Sequence, residues 1–310
     1  MFSVQEDLVF RNELFLWLDR ESPDRSGFTR SDLAAVPVQG SPDRIAGTMT
    51  GIWKVTGKSD AAVSIITAYV PPGGQRPYED GVGSDGLQRY KWRGDDPNHA
   101  DNVSLRRAME KKLPLVWFVG IGYVPGTQTQ MFQPIYPVFL VAEEKASQQF
   151  VVAVEPNQKK VGSEAGAEVV EIARRYNRQM VKVRYHQPVF RSTVMLAYET
   201  RCAVCRLPFG KLLDAAHIRS DADGGAATVT NGLALCKIHH GAFDANIIGI
   251  DPEYRIHVRD EVLQTFDGPT LQHSIKEMNG ETLRQLPARK AEQPDRALLA
   301  ERFETFRRAS

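Results

Sequence analysis

Three cysteines and one histidine fall into two pairs of equal internal spacing, and this restricts the carboxy-terminal half more than any other feature of the 310-residue chain. Cys202 and Cys205 form C-x-x-C, and Cys236 with His239 forms C-x-x-H beginning thirty-one residues after Cys205. Zinc takes four nitrogen or sulfur ligands at about 2.0 to 2.3 Å, and two such knuckles each deliver two ligands on a tight turn. The pattern predicts a structural zinc site. The alternative is three small buried hydrophobes and a surface histidine, but buried cysteines have no reason to fall in paired spacing. No cysteine is left over, which fits a reducing compartment better than a disulfide framework.

Between the knuckles, Leu212 to Ile218 (LLDAAHI) has the pattern of a strand ending in His217. A Gly/Asp-rich loop, Ser220 to Gly225, follows; Thr230-Asn231-Gly232 then opens a second strand, Leu233 to Cys236, and a helix is expected from about Lys237. His240 and Asp244 are four apart and share one face of that helix.

The succession A-A-H-I, N-G-L-x-L-C and H-H-x-x-F-D resembles the HNH nuclease, or ββα-metal, motif. The resemblance implies that His217 is the general base, that Asn231 fixes the loop and orients the base, and that His240 and Asp244 hold a divalent cation. The helix of that family more often has a second histidine where Asp244 stands; a carboxylate suits Mg²⁺ or Mn²⁺. Many members carry an acid or histidine directly before the base. Here Ala216 stands there, and Asp214 is the candidate replacement as a ligand.

Phosphodiester hydrolysis explains these residue types. An imidazole with an ordinary pKa of about 6.5 can take a proton from water near neutral pH. A metal can offset the charge developing on the phosphate and the leaving oxygen. The competing interpretation has His240 and Asp244 paired on a solvated face and His217 as a satisfied core histidine. It is the better account of any one residue, and the poorer account of all of them in this order inside a zinc frame.

The length allows about two domains, and the net charge of +1 means that any nucleic-acid surface must come from local clustering. Such clustering occurs: Glu171 to Arg219 holds ten Lys/Arg against three acids. The first residues are apolar in places but interrupted by Glu6, Asp7, Arg11 and Glu13, so neither a signal peptide nor a membrane span is expected. A cytoplasmic location is the expectation.

The amino-terminal half changes character along its length. Apolar positions from Val4 to Asp19 suit a one-sided helix, and Ser31-Asp32 suggests a second short helix ended by Pro37. Candidate strands are Ile45 to Lys54, Val63 to Val70, Leu87 to Trp92, Leu115 to Val119, Val138 to Val141 and Phe150 to Val154, with one helix, Asn102 to Lys112, among them. An α+β chain is predicted, its first part a half-open β-barrel with helices.

Within this part, Tyr78-Glu79-Asp80, a glycine turn, then Tyr90-Lys91-Trp92-Arg93-Gly94, a helix and a buried strand resemble the SRA domain, which flips 5-methylcytosine out of DNA. The resemblance implies that Tyr78 and Tyr90 sandwich the base, with Trp92 beside them. Gly81 occupies the family's acidic position, so Asp80 or Asp85 is expected to read the base edge. Barrel packing is the plain alternative for the aromatics. Arg93, Arg106 and Arg107, with Arg174, Arg175 and Arg178 further on, are the candidate DNA-backbone cations.

Glu155 to Gly166 is the linker candidate, followed by a helical piece, Glu171 to Arg178, a strand-like piece, Gln179 to Tyr185, and a helix from Pro188 to Tyr198. Tyr254 to Val258 suits a strand and Asp295 to Arg308 a terminal helix. The expected organisation is an SRA-like domain over residues 1–155, connecting elements over 156–185 and a zinc-stabilised nuclease domain over 186–310.

That order resembles a group of bacterial modification-dependent restriction endonucleases. It implies cleavage of double-stranded DNA containing 5-methylcytosine, by a homodimer if both strands are cut together. An HNH endonuclease or nickase indifferent to modification, and a non-catalytic zinc-stabilised reader of modified DNA, are the alternatives.

Overall fold

The computed structural model describes residues 1–22, 27–39, 41–74, 81–156, 158, 167–266 and 268–309. It divides into two compact units, one of Met1–Val70 and Gly74–Val189, the other of Pro71–Gly73 and Phe190–Ser310.

In the first unit, α1 (Val4–Glu21) starts at a capping box in which Ser3 and Glu6 each accept the other's backbone N–H. Phe10, Leu14 and Leu18 lie on one side of it and are fully buried. The same helix buries a charge pair, Arg11 Nε to Asp7 at 2.6 Å. Ser31-Asp32 does not start a helix. Thr29 donates both its N–H and its hydroxyl to Asp32 (2.7 and 2.8 Å), making a side-chain-closed turn of Ser31-Asp32. Pro37 lies inside β1 (Val36–Val38), opposite Pro42 of β2 (Ser41–Asp43), in a two-stranded ribbon whose outer edges ask for no donor there.

The main sheet is a six-stranded half-barrel of β3 (Ile52–Trp53), β4 (Ser64–Thr67), β5 (Gln88–Lys91), β6 (Leu115–Tyr123), β7 (Gln130–Glu144) and β8 (Gln149–Ala153), in the order β3-β4-β6-β7-β8-β5. Among the described strands only β4 and β6 pair in parallel, and α2 (Ala100–Glu110) lies on the connection between them. The apolar run of β6 alternates between two cores. Val116 and Phe118 pack with the α1 residues, whereas Leu115, Trp117 and Val119 pack with Leu105 and Ala108 of α2.

Three strand expectations are corrected. Ile45 to Lys54 shortens to Ile52–Trp53 because the chain turns through Gly47 to Gly51, where a Cβ on Gly47 would meet Thr50 Oγ1 at 2.0 Å. Val138 to Val141 is the middle of a fifteen-residue strand, β7, which contains Pro134 and Pro137 and shifts register near Leu140. Gln179 to Tyr185 is helical, not strand-like: α3 (Ala167–Val181) passes into a π-helical turn, Lys182–His186, and then into α4 (Gln187–Ala197). The wider turn ends just before Pro188, whose missing N–H cannot continue the ordinary ladder.

The second unit is built on the hairpin of β9 (Leu213–His217) and β10 (Gly232–Cys236), which runs directly into α5 (Lys237–Asp244). A second hairpin, β11 (Ile248–Ile250) with β12 (Ile256–Val258), two short helices, α6 (Asp260–Gln264) and α7 (Pro269–Ser274), and α8 (Arg296–Arg308) complete it. The α8 N-terminus is capped by Asp295, which accepts from Ala297 and Leu298. No described helix is long and apolar enough to cross a membrane.

Candidate metal centre and catalytic cleft

The two knuckles meet. The ligand atoms of Cys202, Cys205, Cys236 and His239 all lie within 4.8 Å of one another, and Cys202, Cys236 and His239 are buried. His239 turns Nδ1 toward the sulfurs, at 3.0 Å from Cys236 and 3.5 Å from Cys202, while Nε2 donates to the Ser274 carbonyl at 2.7 Å. That outer bond fixes the tautomer that presents a lone pair inward. Hydrogen bonds from Cys202 and Cys205 draw the Cys236 thiol far down, toward thiolate. Burial lowers the His239 imidazole, but its bonds to Cys202 and Cys236 outweigh this and raise it to about 10. The pocket thus favours positive charge among its sulfurs, and the Cys₃His donor set and its geometry fit a tetrahedral zinc.

The Cys₃His cluster borders the hairpin that carries His217. His217 pairs with Gly232 across β9 and β10. A Cβ on Gly232 would meet Val194 at 2.4 Å and the Phe190 ring at 3.1 Å, so the strand lies too close to α4 for any side chain there. Phe190 also stacks on the His217 imidazole, with centroids 3.9 Å apart and planes at 19°. Asn231 is buried one residue before Gly232; its amide accepts from Arg219 N–H at 2.9 Å and donates to the carbonyls of Arg219 (3.0 Å) and Ala226 (2.9 Å). It therefore closes the loop that follows His217.

His240 bridges two carboxylates. Its Nδ1 is 3.3 Å from Asp214 and its Nε2 is 3.3 Å from Asp244. Asp214 also accepts from Lys237 at 2.7 Å. Burial pushes the Asp214 carboxyl up, but bonds from Lys237 and His240 outweigh it and hold the group below the usual carboxylate range. Asp214 and Asp244, both candidate ligands, face different nitrogens of one ring, so a single ion held by His240 would take one of them as its partner and leave the other to orient the ring.

His217 and Asp244 line one cleft of about 590 Å³, together with Arg219, Asn246 and, from α8, Glu301 and Arg302. The α8 residues were invisible to motif reading, because they lie more than fifty positions from the helix they border. Arg219 is paired with Glu301. Arg302 bonds the Phe243 carbonyl and the Asn246 side chain, and its guanidinium lies 4.6 Å from the centre of the Phe243 ring.

In the first unit, a cavity of about 370 Å³ is lined by Tyr90 and Trp92 with Arg30, Thr50, Gly51 and Ile66. Tyr90 is fixed: its hydroxyl donates to Gly51 O (2.9 Å) or Ile66 O (3.1 Å), and its ring meets Trp117 edge to face. The Trp92 indole N–H is buried and has no partner among the described residues, and the Arg106 guanidinium lies over its ring. Asp85 does not line this cavity. Both of its oxygens are taken by Arg89 (3.0 and 3.2 Å), itself bonded to Glu144, which corrects the expectation of a free base-reading acid. Tyr78 and Asp80 lie outside the described residues.

Most of the expected backbone cations are already engaged. Arg93 pairs with Asp101, Arg106 with Glu143, Arg107 with Glu110 and Arg178 with Glu171, at 2.5 to 3.1 Å. Arg174 is partly buried, with its Nε enclosed, and Arg175 is exposed.

Residues 202–251 match the model of the HNH endonuclease family. No curated protein matches the chain. Among solved structures, the chain is similar to a modification-dependent TagI restriction endonuclease, at 19% identity over 89% of this chain and 90% of that one, with a TM-score of 0.27. It is also similar to the type IV phosphorothioation-dependent restriction endonuclease ScoMcrA, at 14% identity over 64% of this chain and 51% of that one, with a TM-score of 0.23.

Proposed function

We propose that the chain is a modification-dependent DNA endonuclease whose second unit hydrolyses phosphodiester bonds. The observation that carries the nuclease reading is the cleft shared by His217 and Asp244 within the segment that matches the HNH family. His217 takes the proton of the attacking water, and the stacked Phe190 ring holds its imidazole in plane. Asn231 keeps the loop after His217 closed. His240 Nε2 and Asp244 would hold a divalent cation, Mg²⁺ or Mn²⁺, with Asp214 orienting His240. When bound, that ion supplies positive charge against the phosphate and the leaving oxygen. One such site cuts one strand, so a double-strand break calls for a homodimer or for two successive events.

The first unit is the reader of a modified base, most simply 5-methylcytosine. Support comes from the cavity lined by Tyr90 and Trp92, with Arg30 in its wall. The partner is double-stranded DNA.

The test is cleavage of one plasmid prepared unmodified, with 5-methylcytosine and with 5-hydroxymethylcytosine, each with Mg²⁺ or Mn²⁺ and each repeated with His217→Ala. Cutting confined to modified DNA and lost in the variant is expected. Equal cutting of all three reduces the first unit to a DNA grip. Cutting that survives His217→Ala removes the nuclease assignment.

A further inference from the structure

Among the described residues that line the His217–Asp244 cleft, Arg302 is the cation that is anchored without an ion pair. Arg219, in the same wall, is neutralised by Glu301. Arg302 makes no ion pair among the described residues, although its guanidinium is partly withdrawn from water. Two of its N–H groups are spent on the Phe243 carbonyl and Asn246 Oδ1, and its flat face rests on the Phe243 ring. These contacts hold the group still without cancelling its charge. A guanidinium has five N–H donors in a rigid fork, so donors remain for an anion.

Holding an unpaired cation against a helix end has a cost. Burial draws the Arg302 pKa down, and the nearby Asp244 offsets only part of that. A fixed, partly desolvated charge is what stabilises negative charge that grows during a reaction, because it needs no reorganisation when the charge appears. The cleft contains the candidate base and a candidate metal ligand, and the anion that must lie between them is the scissile phosphodiester.

We infer that Arg302, supplied by α8 from outside the HNH segment, is a further catalytic residue that contacts a non-bridging oxygen of the scissile phosphate as water attacks. The inference rests on the nuclease reading above. It makes the carboxy-terminal helix a part of the active site and not a structural appendage.

The experiment compares Arg302→Ala, Arg302→Gln and His217→Ala in the full chain under single-turnover conditions at saturating DNA and Mn²⁺. DNA affinity and direct Mn²⁺ binding, by electron paramagnetic resonance without DNA, are measured in parallel. Loss of Arg302 is expected to slow cleavage by about 10²–10³-fold, with DNA affinity and Mn²⁺ binding changed less than threefold, and added guanidinium ion is expected to restore part of the Arg302→Ala rate. If Arg302→Ala fails to fold, Arg302→Gln, which keeps an amide donor for the Phe243 carbonyl, carries the comparison. Three results overturn the inference: an unchanged rate, a rate loss matched by lost DNA affinity, or a rate loss matched by lost Mn²⁺ binding. His217→Ala separates the two readings, since full activity in that variant removes the nuclease assignment itself.

Discussion

The side-chain amide of Asn231 closes both backbone hydrogen bonds of Arg219, accepting its N–H at 2.9 Å and donating to its carbonyl at 3.0 Å. Two residues before Arg219 stands His217, so the loop that leaves the candidate base is fixed by an amide one residue before the opposite strand. Asn231→Asp keeps the acceptor and loses the donor. Because the position is buried, the carbonyls of Arg219 and Ala226 are then left facing a carboxylate. A loss of about 1–3 kcal/mol in stability is expected, with a fall in cleavage larger than the fall in DNA binding. A variant with wild-type melting and wild-type cleavage would show that the loop needs no staple.

Asp214 acts through His240. Asp214→Asn removes the charged acceptor behind Nδ1 and the partner of Lys237. Outer partners of metal-binding histidines commonly matter by about 10–100-fold in affinity or activity. The expected result is a rise in the Mn²⁺ concentration needed for half-maximal cleavage, with DNA affinity little changed. If half-saturation stays where it is in the wild type, Asp214 is only the surface partner of Lys237.

These two relationships show what sequence could and could not say. The Cys₃His knuckles and the His217–Asn231–His240 order were legible because each ligand pair lies on one turn and the whole run is contiguous in sequence. Bonds across longer separations left no spacing to read: Asp214 to His240, Phe190 on His217, and Arg302 on the end of α5. In the first unit, prolines hid β-structure, since Pro37 looked like a helix stop and Pro134 and Pro137 broke up β7. Asp85 read as a candidate acid because nothing in sequence tells that Arg89 already binds both of its oxygens.

The Arg11–Asp7 pair tests the amino-terminal core. Arg11 is fully buried, its Nε bonded to Asp7 and a terminal nitrogen to the Pro114 carbonyl, while Ser59 donates to the other Asp7 oxygen. Arg11→Met strands a buried carboxylate and is expected to cost about 3–5 kcal/mol. Adding Asp7→Asn to that variant should recover part of the loss, because the stranded charge is removed. Denaturant midpoints of the two single variants and the double variant measure this; strictly additive losses would mean that the pair is not coupled.

Asp251 gives a pH signature. It accepts from Glu253 and Arg255 N–H, both at 2.9 Å, and lies 2.8 Å from His257 Nε2. Burial pushes its carboxyl up, but the bonds from His257, Arg255 and Glu253 outweigh this and hold it below the usual range. A folded-state pKa below the unfolded one gives stability that is present above the ordinary carboxylate pKa of about 3.9 and is lost as pH falls through the folded value. Asp251→Asn should therefore melt lower than wild type near pH 6, and the gap should shrink on acidification below about pH 4. A gap that stays constant down to pH 2 would assign the effect to lost geometry and not to charge.

Metal removal should separate the two units. Cys202 and Cys236 sit inside the core that joins the β9–β10 hairpin to its surrounding helices, and His239 is buried beside them, so a zinc bound there would contribute directly to folding the second unit. The first unit has its own cores, shared between α1, α2 and the half-barrel sheet. Cys202→Ala, or a strong chelator, is expected to make the second unit sensitive to protease and to abolish cleavage. Fragments of the first unit should remain resistant. Because the ligands must be deprotonated to bind, wild-type protein should also lose zinc on acidification, and the second unit should open at the same pH. About one zinc per chain in the wild type, and little in Cys202→Ala, is the expected metal content. A folded Cys202→Ala protein that retains its zinc would place the ion elsewhere and leave the knuckles as ordinary core.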